Sequence, residues 1–268
     1  MKHGTVQLFV VSAKGGAPRQ MTFGEYSNGG AVEWSPDGSK LYYSANRSED
    51  WELEPLRAQI YSLDVTSGAI TQITDRVGPD FGAQVSPDGR QIAYLGFDDV
   101  GNAFDQTNLY VMNADGSGSR QLASDLDRGS DGIEWTDSGL YASYEDDGEH
   151  RVARVRLTGN VSPLAPRIGS PYYARPYTVG LWAVSDGGAI AFTTASSVRP
   201  PDIGVSSRGR MRTLTSLNEV SFGGKDLGDT RELSVIAADG TTIPAWIQLP
   251  HGYKDGDTVP MILEMHGG

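Results

Sequence analysis

Cysteine is absent from this chain, which excludes a disulfide framework and thiolate chemistry. Long apolar runs are absent too, and none approaches the roughly 20 residues that a membrane-spanning helix needs. Cations are in deficit: 22 Lys and Arg stand against 34 Asp and Glu, a formal charge of −12. A binder of nucleic-acid backbones is therefore not expected, because there is no surplus of cations to displace counterions. The acidity says little else, since a charged face is an ordinary route to solubility. Histidine is scarce, and His3, His150 and His251 are scattered without metal-ligand spacing, so each is expected at the surface or in a loop. The aspartates show no EF-hand spacing, and Gly116-Ser117-Gly118 lacks the lysine and following helix of a phosphate loop. No metal and no cofactor are expected. The start, Met1-Lys2-His3-Gly4, leads into no signal-like apolar stretch. The compartment stays open between periplasmic or secreted and cytoplasmic.

What the chain does have is glycine, proline and aromatics. The 268 residues include 34 Gly, 14 Pro, five Trp and twelve Tyr. Disorder would require scarce aromatics, so many turns between aromatic and β-branched strands is the better reading.

Four related turns organise the sequence: Ser35-Pro36-Asp37-Gly38, Ser86-Pro87-Asp88-Gly89, Thr136-Asp137-Ser138-Gly139 and Ser185-Asp186-Gly187-Gly188. Their starts lie 51, 50 and 49 residues apart, a period that suits four short strands per unit. Proline pre-sets φ at the second position, Asp suits the third, and Gly accepts positive φ. These residues are expected to be structural. A second hairpin follows in each unit: Gln59 to Val65 with Ala69 to Thr74, Asn108 to Asn113 with Arg120 to Ala123, Arg151 to Leu157 with Val161 to Leu164, and Asp202 to Ser206 with Met211 to Leu214. Two hairpins per unit is the content of one propeller blade. A long sandwich with similar hairpins is the alternative, but it has no reason to repeat a turn at fixed intervals.

Residues 5 to 22 match only the second hairpin of a unit. Half a unit leaves a strand edge unpaired, so strand exchange, an open array or further upstream sequence are the explanations, and further sequence is expected. Two units carry long polar stretches at the same place in the repeat, Asn46 to Arg57 with Trp51, and Gly96 to Gln106 with Phe97 and Phe104. They should emerge on one face, where the aromatics either touch a ligand or second domain, or simply pin their own loops. Tyr172, Tyr173, Arg175 and Tyr177 could line a cavity or pack between blades.

After residue 218 the pattern changes. A polar connector runs to Asp229, followed by a hairpin from Glu232 to Ala237 and Ile243 to Leu249. Val259 to Met265 reads as an interior strand leading into His266-Gly267-Gly268. Glycines after such a strand can turn N–H groups toward an external oxygen, although a glycine pair is also an ordinary turn.

Taken together, the sequence resembles the prolyl oligopeptidase family of serine peptidases, in particular its acylaminoacyl-peptidase and dipeptidyl-peptidase-like bacterial members. The resemblance rests on the Ser-Pro-Asp-Gly units, on Leu214-Thr215-Ser216-Leu217-Asn218-Glu219, on Asp239-Gly240-Thr241-Thr242-Ile243-Pro244-Ala245-Trp246 and on Pro260-Met261-Ile262-Leu263-Glu264-Met265-His266-Gly267-Gly268. It implies an all-β propeller over residues 1–218, about four and a half blades of seven. It further implies that residues 219–268 are a linker and the first strands of an α/β-hydrolase domain. The implied partner is a peptide substrate, with further blades and the rest of the hydrolase domain outside this sequence. By the same resemblance His266, Gly267 and Gly268 match the oxyanion-side loop, normally followed by proline, with Gly267 or a neighbour as backbone N–H donor. No Gly-x-Ser-x-Gly elbow occurs, so no catalytic residue can be named and the 268-residue chain alone is expected to be inactive. Glu145-Asp146-Asp147 does not match the family's amine-anchoring motif and reads as a solvated hairpin loop. A rival resemblance is to the non-enzymatic TolB-type propeller of the Tol system, which shares phrases such as Leu109-Tyr110-Val111-Met112-Asn113-Ala114-Asp115-Gly116 but leaves residues 230 to 268 unexplained.

Overall fold

A computed structural model describes residues 4–102, 104–170 and 179–263. It begins with a two-stranded sheet of β1 (Phe9–Val10) and β2 (Arg19–Gln20). Four four-stranded antiparallel sheets follow, each a meander in chain order. The first holds β3 (Val32–Trp34), β4 (Lys40–Ala45), β5 (Gln59–Asp64) and β6 (Ile70–Gln72). The second holds β7 (Asp80–Val85), β8 (Gln91–Gly96), β9 (Asn108–Asn113) and β10 (Arg120–Leu122). The third holds β11 (Ser130–Thr136), β12 (Gly139–Asp146), β13 (Glu149–Val155) and β14 (Val161–Ile168). The fourth holds β15 (Trp182–Val184), β16 (Ile190–Ser196), β17 (Arg199–Ser207) and β18 (Arg210–Thr213). A short helix, α1 (Glu219–Phe222), leads to a separate hairpin of β19 (Thr230–Ile236) and β20 (Thr242–Gln248).

Side chains alternate across a strand, so a strand apolar on both faces feeds two cores. Along β8, Ile92 and Tyr94 point into a cluster with Tyr42 and Ile60 of the first sheet. Their neighbours Ala93 and Leu95 point the other way, to Leu140, Ala142 and Val155 of the third. The same alternation joins the first sheet to the β1–β2 pair through Leu41, Tyr43, Met21 and Leu8, and the third to the fourth through Tyr141, Val152, Ile190 and Phe192. Each fully buried Ile, Leu or Tyr side chain contributes roughly 1.5–3 kcal/mol. Meander sheets sharing cores face to face in succession are the blades of a β-propeller, four whole and one half.

The first turn of each blade closes on its own side chains. Ser35 Oγ donates to Asp37 at 2.6 Å and accepts from Lys40 N–H at 2.9 Å, and Gly38 sits at φ +70°. Ser86 and Asp88 repeat the pattern at 2.7 Å, with Gln91 N–H on Ser86 Oγ at 2.9 Å and Gly89 at φ +72°. Side-chain hydrogen bonds from Ser35 and Ser39, with the Ser39 N–H, hold Asp37 down to about 2, and Asp88 is lowered by Ser86 and the Arg90 N–H. Asp64, Asp115 and Asp239 are lowered in the same way by Ser67, Ser117 and Thr241. A carboxylate whose folded pKa is depressed stabilises the fold above its unfolded pKa, and that contribution is lost as pH falls through the folded value. Urea-unfolding midpoints should therefore drop between about pH 4 and pH 2, less steeply in an Asp37→Asn/Asp88→Asn variant. Equal slopes for the two proteins would remove these carboxylates from the stability of the turns.

Two expectations need correcting. No strand forms over residues 259–263, where Met261, Ile262 and Leu263 are exposed. An extended apolar segment becomes a strand only when a neighbour takes its backbone hydrogen bonds, and none of the described residues lies in that position. His150 is not a surface residue: it lies on β13, 8% exposed.

Candidate functional site

Successive connections of a meander alternate between its two ends. The Ser-Pro-Asp-Gly turns therefore lie at one end of the blades, and the connections between second and third strands lie at the other. At this second end those connections are residues 46–58, 97–107, 147–148 and 197–198.

The β19–β20 hairpin sits at the second end, over the two short connections. Thr230 Oγ1 meets Ser197 Oγ at 2.7 Å. The Trp246 ring lies on Gly148, where a Cβ would come within 2.4 Å of it, and Gly148 itself sits at φ +75°. Glycine is thus required there both for the turn and for the close approach of the indole.

Charged side chains collect at the same end. In the third blade, Arg128 approaches Asp146 at 3.6 Å and Asp147 at 3.9 Å, Arg151 meets Glu149 at 2.7 Å and Asp146 at 3.5 Å, and Arg167 also pairs with Glu149. Asp146 and Asp147 are thus partners in an ion-pair network, while Glu145 is exposed, as the reading of a solvated hairpin expects. Beneath it, His150 Nε2 lies 2.8 Å from Asp131 and its Nδ1 accepts the Gly180 N–H at 3.1 Å. That acceptor role places the ring proton on Nε2, facing the carboxylate. Ser143 Oγ donates to the same carboxylate. Serine, aspartate and histidine meet here, but the hydroxyl and the imidazole both bind the carboxylate. No base addresses the serine, and Ser143 is fully buried, so the cluster is no hydrolytic triad.

The second blade has its own network. Arg76 Nε lies 2.9 Å from Asp80, and Nη1 lies 2.8 Å from Asp98 and 3.0 Å from Tyr110 Oη. Its guanidinium also stacks 4.0 Å over the Tyr110 ring, itself stacked on Tyr94. Asp80 is only 1% exposed, and burial pushes its carboxyl up despite Arg76, whereas the same pair holds Arg76 charged. The guanidinium hydrogen-bonded to it favours the ionised form of Asp80 against that burial.

A further pairing was missed in the sequence. Glu33 and Glu134, each two residues before a first turn, accept the N–H of Val85 and of Val184 in the next blade. The repeated signal was Glu33-Trp34, Gln84-Val85 and Glu134-Trp135 at one point of the unit. Burial raises the Glu33 carboxyl, the Val85 bond opposes it, and Glu134 raises it further.

Of the other sequence candidates, Ser35 to Gly38 and Ser86 to Gly89 lie at the end away from the hairpin, in turns. His266, Gly267 and Gly268, and the Tyr172, Tyr173, Arg175 and Tyr177 cluster, lie outside the described residues. No cluster of three or more metal-ligating side chains occurs among the described residues, and no described helix is long and apolar enough to cross a membrane.

Residues 1–98 match the family model described as the dipeptidyl peptidase IV (DPP IV) N-terminal region. A relative in Emericella nidulans described as "Probable dipeptidyl-peptidase 5" is 27% identical over 195 residues, covering 68% of this chain. The chain spans 26% of that relative's length. The acylaminoacyl peptidase of Pyrococcus horikoshii superimposes over 95% of this chain and 48% of its own, with TM-score 0.59 and 13% identity. TolB of Acinetobacter baumannii covers 90% of this chain and 57% of its own, with TM-score 0.56 and 16% identity. The two structures show the fold. With the family match and the dipeptidyl-peptidase relative, the resemblance to prolyl-oligopeptidase-type peptidases is borne out, and the similarity to TolB stands beside it.

Proposed function

We propose that this chain is the propeller part of a serine peptidase that cleaves peptide bonds in oligopeptides, with residues 219–268 forming the linker and the entry to its hydrolase domain. The observation that carries the reading is the β19–β20 hairpin seated on the second-connection end of the blades, with Trp246 on Gly148 and Thr230 on Ser197. A TolB-like interaction propeller accounts for the blades but gives no role to this hairpin.

In this reading the nucleophilic serine, its histidine base and the orienting aspartate come from sequence beyond Gly268. The N–H of Gly267 helps to stabilise the oxyanion of the tetrahedral intermediate. The blades limit the size of the peptide that reaches the site.

A fluorophosphonate probe tests this. The 268-residue chain should remain unlabelled, and a longer form should be labelled on a serine after Gly268. In that longer form Gly267→Pro should lower turnover by roughly 10²-fold or more, through loss of the donor and local distortion. Stoichiometric labelling of the 268-residue chain, or none of the longer form, would overturn the reading.

A further inference from the structure

Two long connections stand at the hairpin end of the first and second blades, beside the region over the third and fourth that β19–β20 occupies. The first is tied across its length and the second at its start. In residues 46–58, Asn46 Nδ2 donates to the Glu54 carbonyl at 2.6 Å, and the Leu53 and Glu54 N–H groups each bond the Asp50 carbonyl at 2.9 Å. In residues 97–107, the Asp99 N–H bonds the Val77 carbonyl at 2.8 Å, and Asp98 is tied to Arg76.

These frames hold large apolar side chains in water. Leu53 is 82% exposed and Phe104 83%, and Val100, Trp51 and Leu56 are exposed as well. Neither loop closes over its own apolar residues, so pinning the loops does not account for all of them. Acidic groups surround them: Glu49, Asp50, Glu52, Asp99 and Asp105 have no ion-pair partner among the described residues. The cations at these loops are Arg47, which lies over the rings of Tyr26 and Tyr61, Arg57, which pairs with Glu54, and Arg76, which pairs with Asp98.

We propose that the two loops form a docking surface for peptides that carry both basic and large apolar side chains, which the enzyme would thereby select as substrates. This rests on the peptidase reading for its meaning, but not for the binding itself. Apolar side chains at the loop tips gain by burial against apolar residues, at roughly 25 cal/mol per Å². The unpaired carboxylates of the loops draw in cations and turn away acidic partners. The same charge argues against three other occupants. A second copy of this chain carries −12, and nucleic acid or an anionic lipid surface would meet like charge.

Fluorescence anisotropy of labelled short peptides mixed with the 268-residue chain tests the proposal, and it reads the peptide whatever the association state of the protein. One peptide alternates Lys with Leu and Phe, a second replaces Lys by Glu, and a third replaces Leu and Phe by Ser. Only the first should bind well, and less tightly at high salt. Leu53→Ser/Phe104→Ser should weaken it about tenfold, as removal of apolar anchors does. Glu49→Gln/Asp50→Asn/Glu52→Gln should weaken it by a similar factor at low salt and hardly at all at high salt. Equal binding of all three peptides, no binding of the first, or indifference to both sets of substitutions would overturn the proposal. Failure here with successful serine labelling of the longer form would leave a peptidase of other specificity, and the reverse result would leave a peptide-binding propeller.

Discussion

Arg76→Ala should cost about 3–5 kcal/mol of stability at neutral pH, because it leaves the Asp80 carboxylate charged, buried and unpaired. Asp80 is packed inside the fold: it is 1% exposed, and its Oδ1 lies so close over Gly96 that a Cβ there would come within 2.3 Å. The stacking of Arg76 on Tyr110 is lost as well, a further contribution of roughly 0.5–2 kcal/mol. The deficit should depend on pH in a definite direction. Asp80 has a folded pKa raised by burial, so it takes up a proton more readily folded than unfolded, and lowering the pH favours the fold. The penalty of Arg76→Ala should therefore shrink on acidification below neutral pH. Arg76→Ala/Asp80→Ala, with the charge gone from both sides, should be more stable than the single variant. Denaturant titrations of the variants at several pH values measure all of this. A pH-independent deficit, or a double variant no better than the single, would remove the buried charge as the cause.

Gly78→Ala should be comparably damaging, at about 3 kcal/mol, for a backbone reason. Gly78 lies at φ +139°, and an added Cβ would meet the Phe97 carbonyl oxygen at 2.0 Å and the Asp99 nitrogen at 2.8 Å. The positive φ alone costs roughly 1–3 kcal/mol for a residue with a side chain, and the overlap adds a similar amount. Because the overlap is with backbone, relief requires moving the 97–99 segment, which carries the Asp99 to Val77 bond and Asp98. The effect should therefore couple to Arg76: in a double-mutant cycle the two losses should sum to less than their separate values. Strict additivity, or a loss below about 0.5 kcal/mol, would show that the segment yields without cost.

The blades were legible because their determinants are local. In the first two blades a serine, an aspartate and a glycine within four residues close the first turn on themselves, and strand alternation follows from neighbours two apart. The charged networks were not legible, since their members meet only after blades form. Arg76 reaches Asp98 across 22 residues and Tyr110 across 34, and His150 reaches Asp131 across 19 and Gly180 across 30. Read alone, a histidine among charged residues looks like surface, and only the pairing of β11, β12 and β13 brings the carboxylate beneath it. The common face of the two long loops was readable from the repeat and the tail hairpin from its own residues, whereas the seating of that hairpin beside the loops was not, because the Trp246 to Gly148 approach joins elements nearly a hundred residues apart. Over the described residues 259–263 the expected strand misled for the opposite reason: the apolar run is a local signal, but a strand is a property of a pair.

The meander order of the sheets has a consequence in time. Every strand pairing in the four blades joins elements adjacent in the chain, so each closes only a short loop, and short loops carry a small entropic barrier. A blade can thus assemble as soon as its own segment leaves the ribosome, without waiting for any later one. What must wait is docking, because each apolar cluster is shared between one blade and the next. The newest blade always presents one uncovered face until its successor arrives, so synthesis leaves a single moving patch of exposed apolar surface rather than a whole unfolded domain.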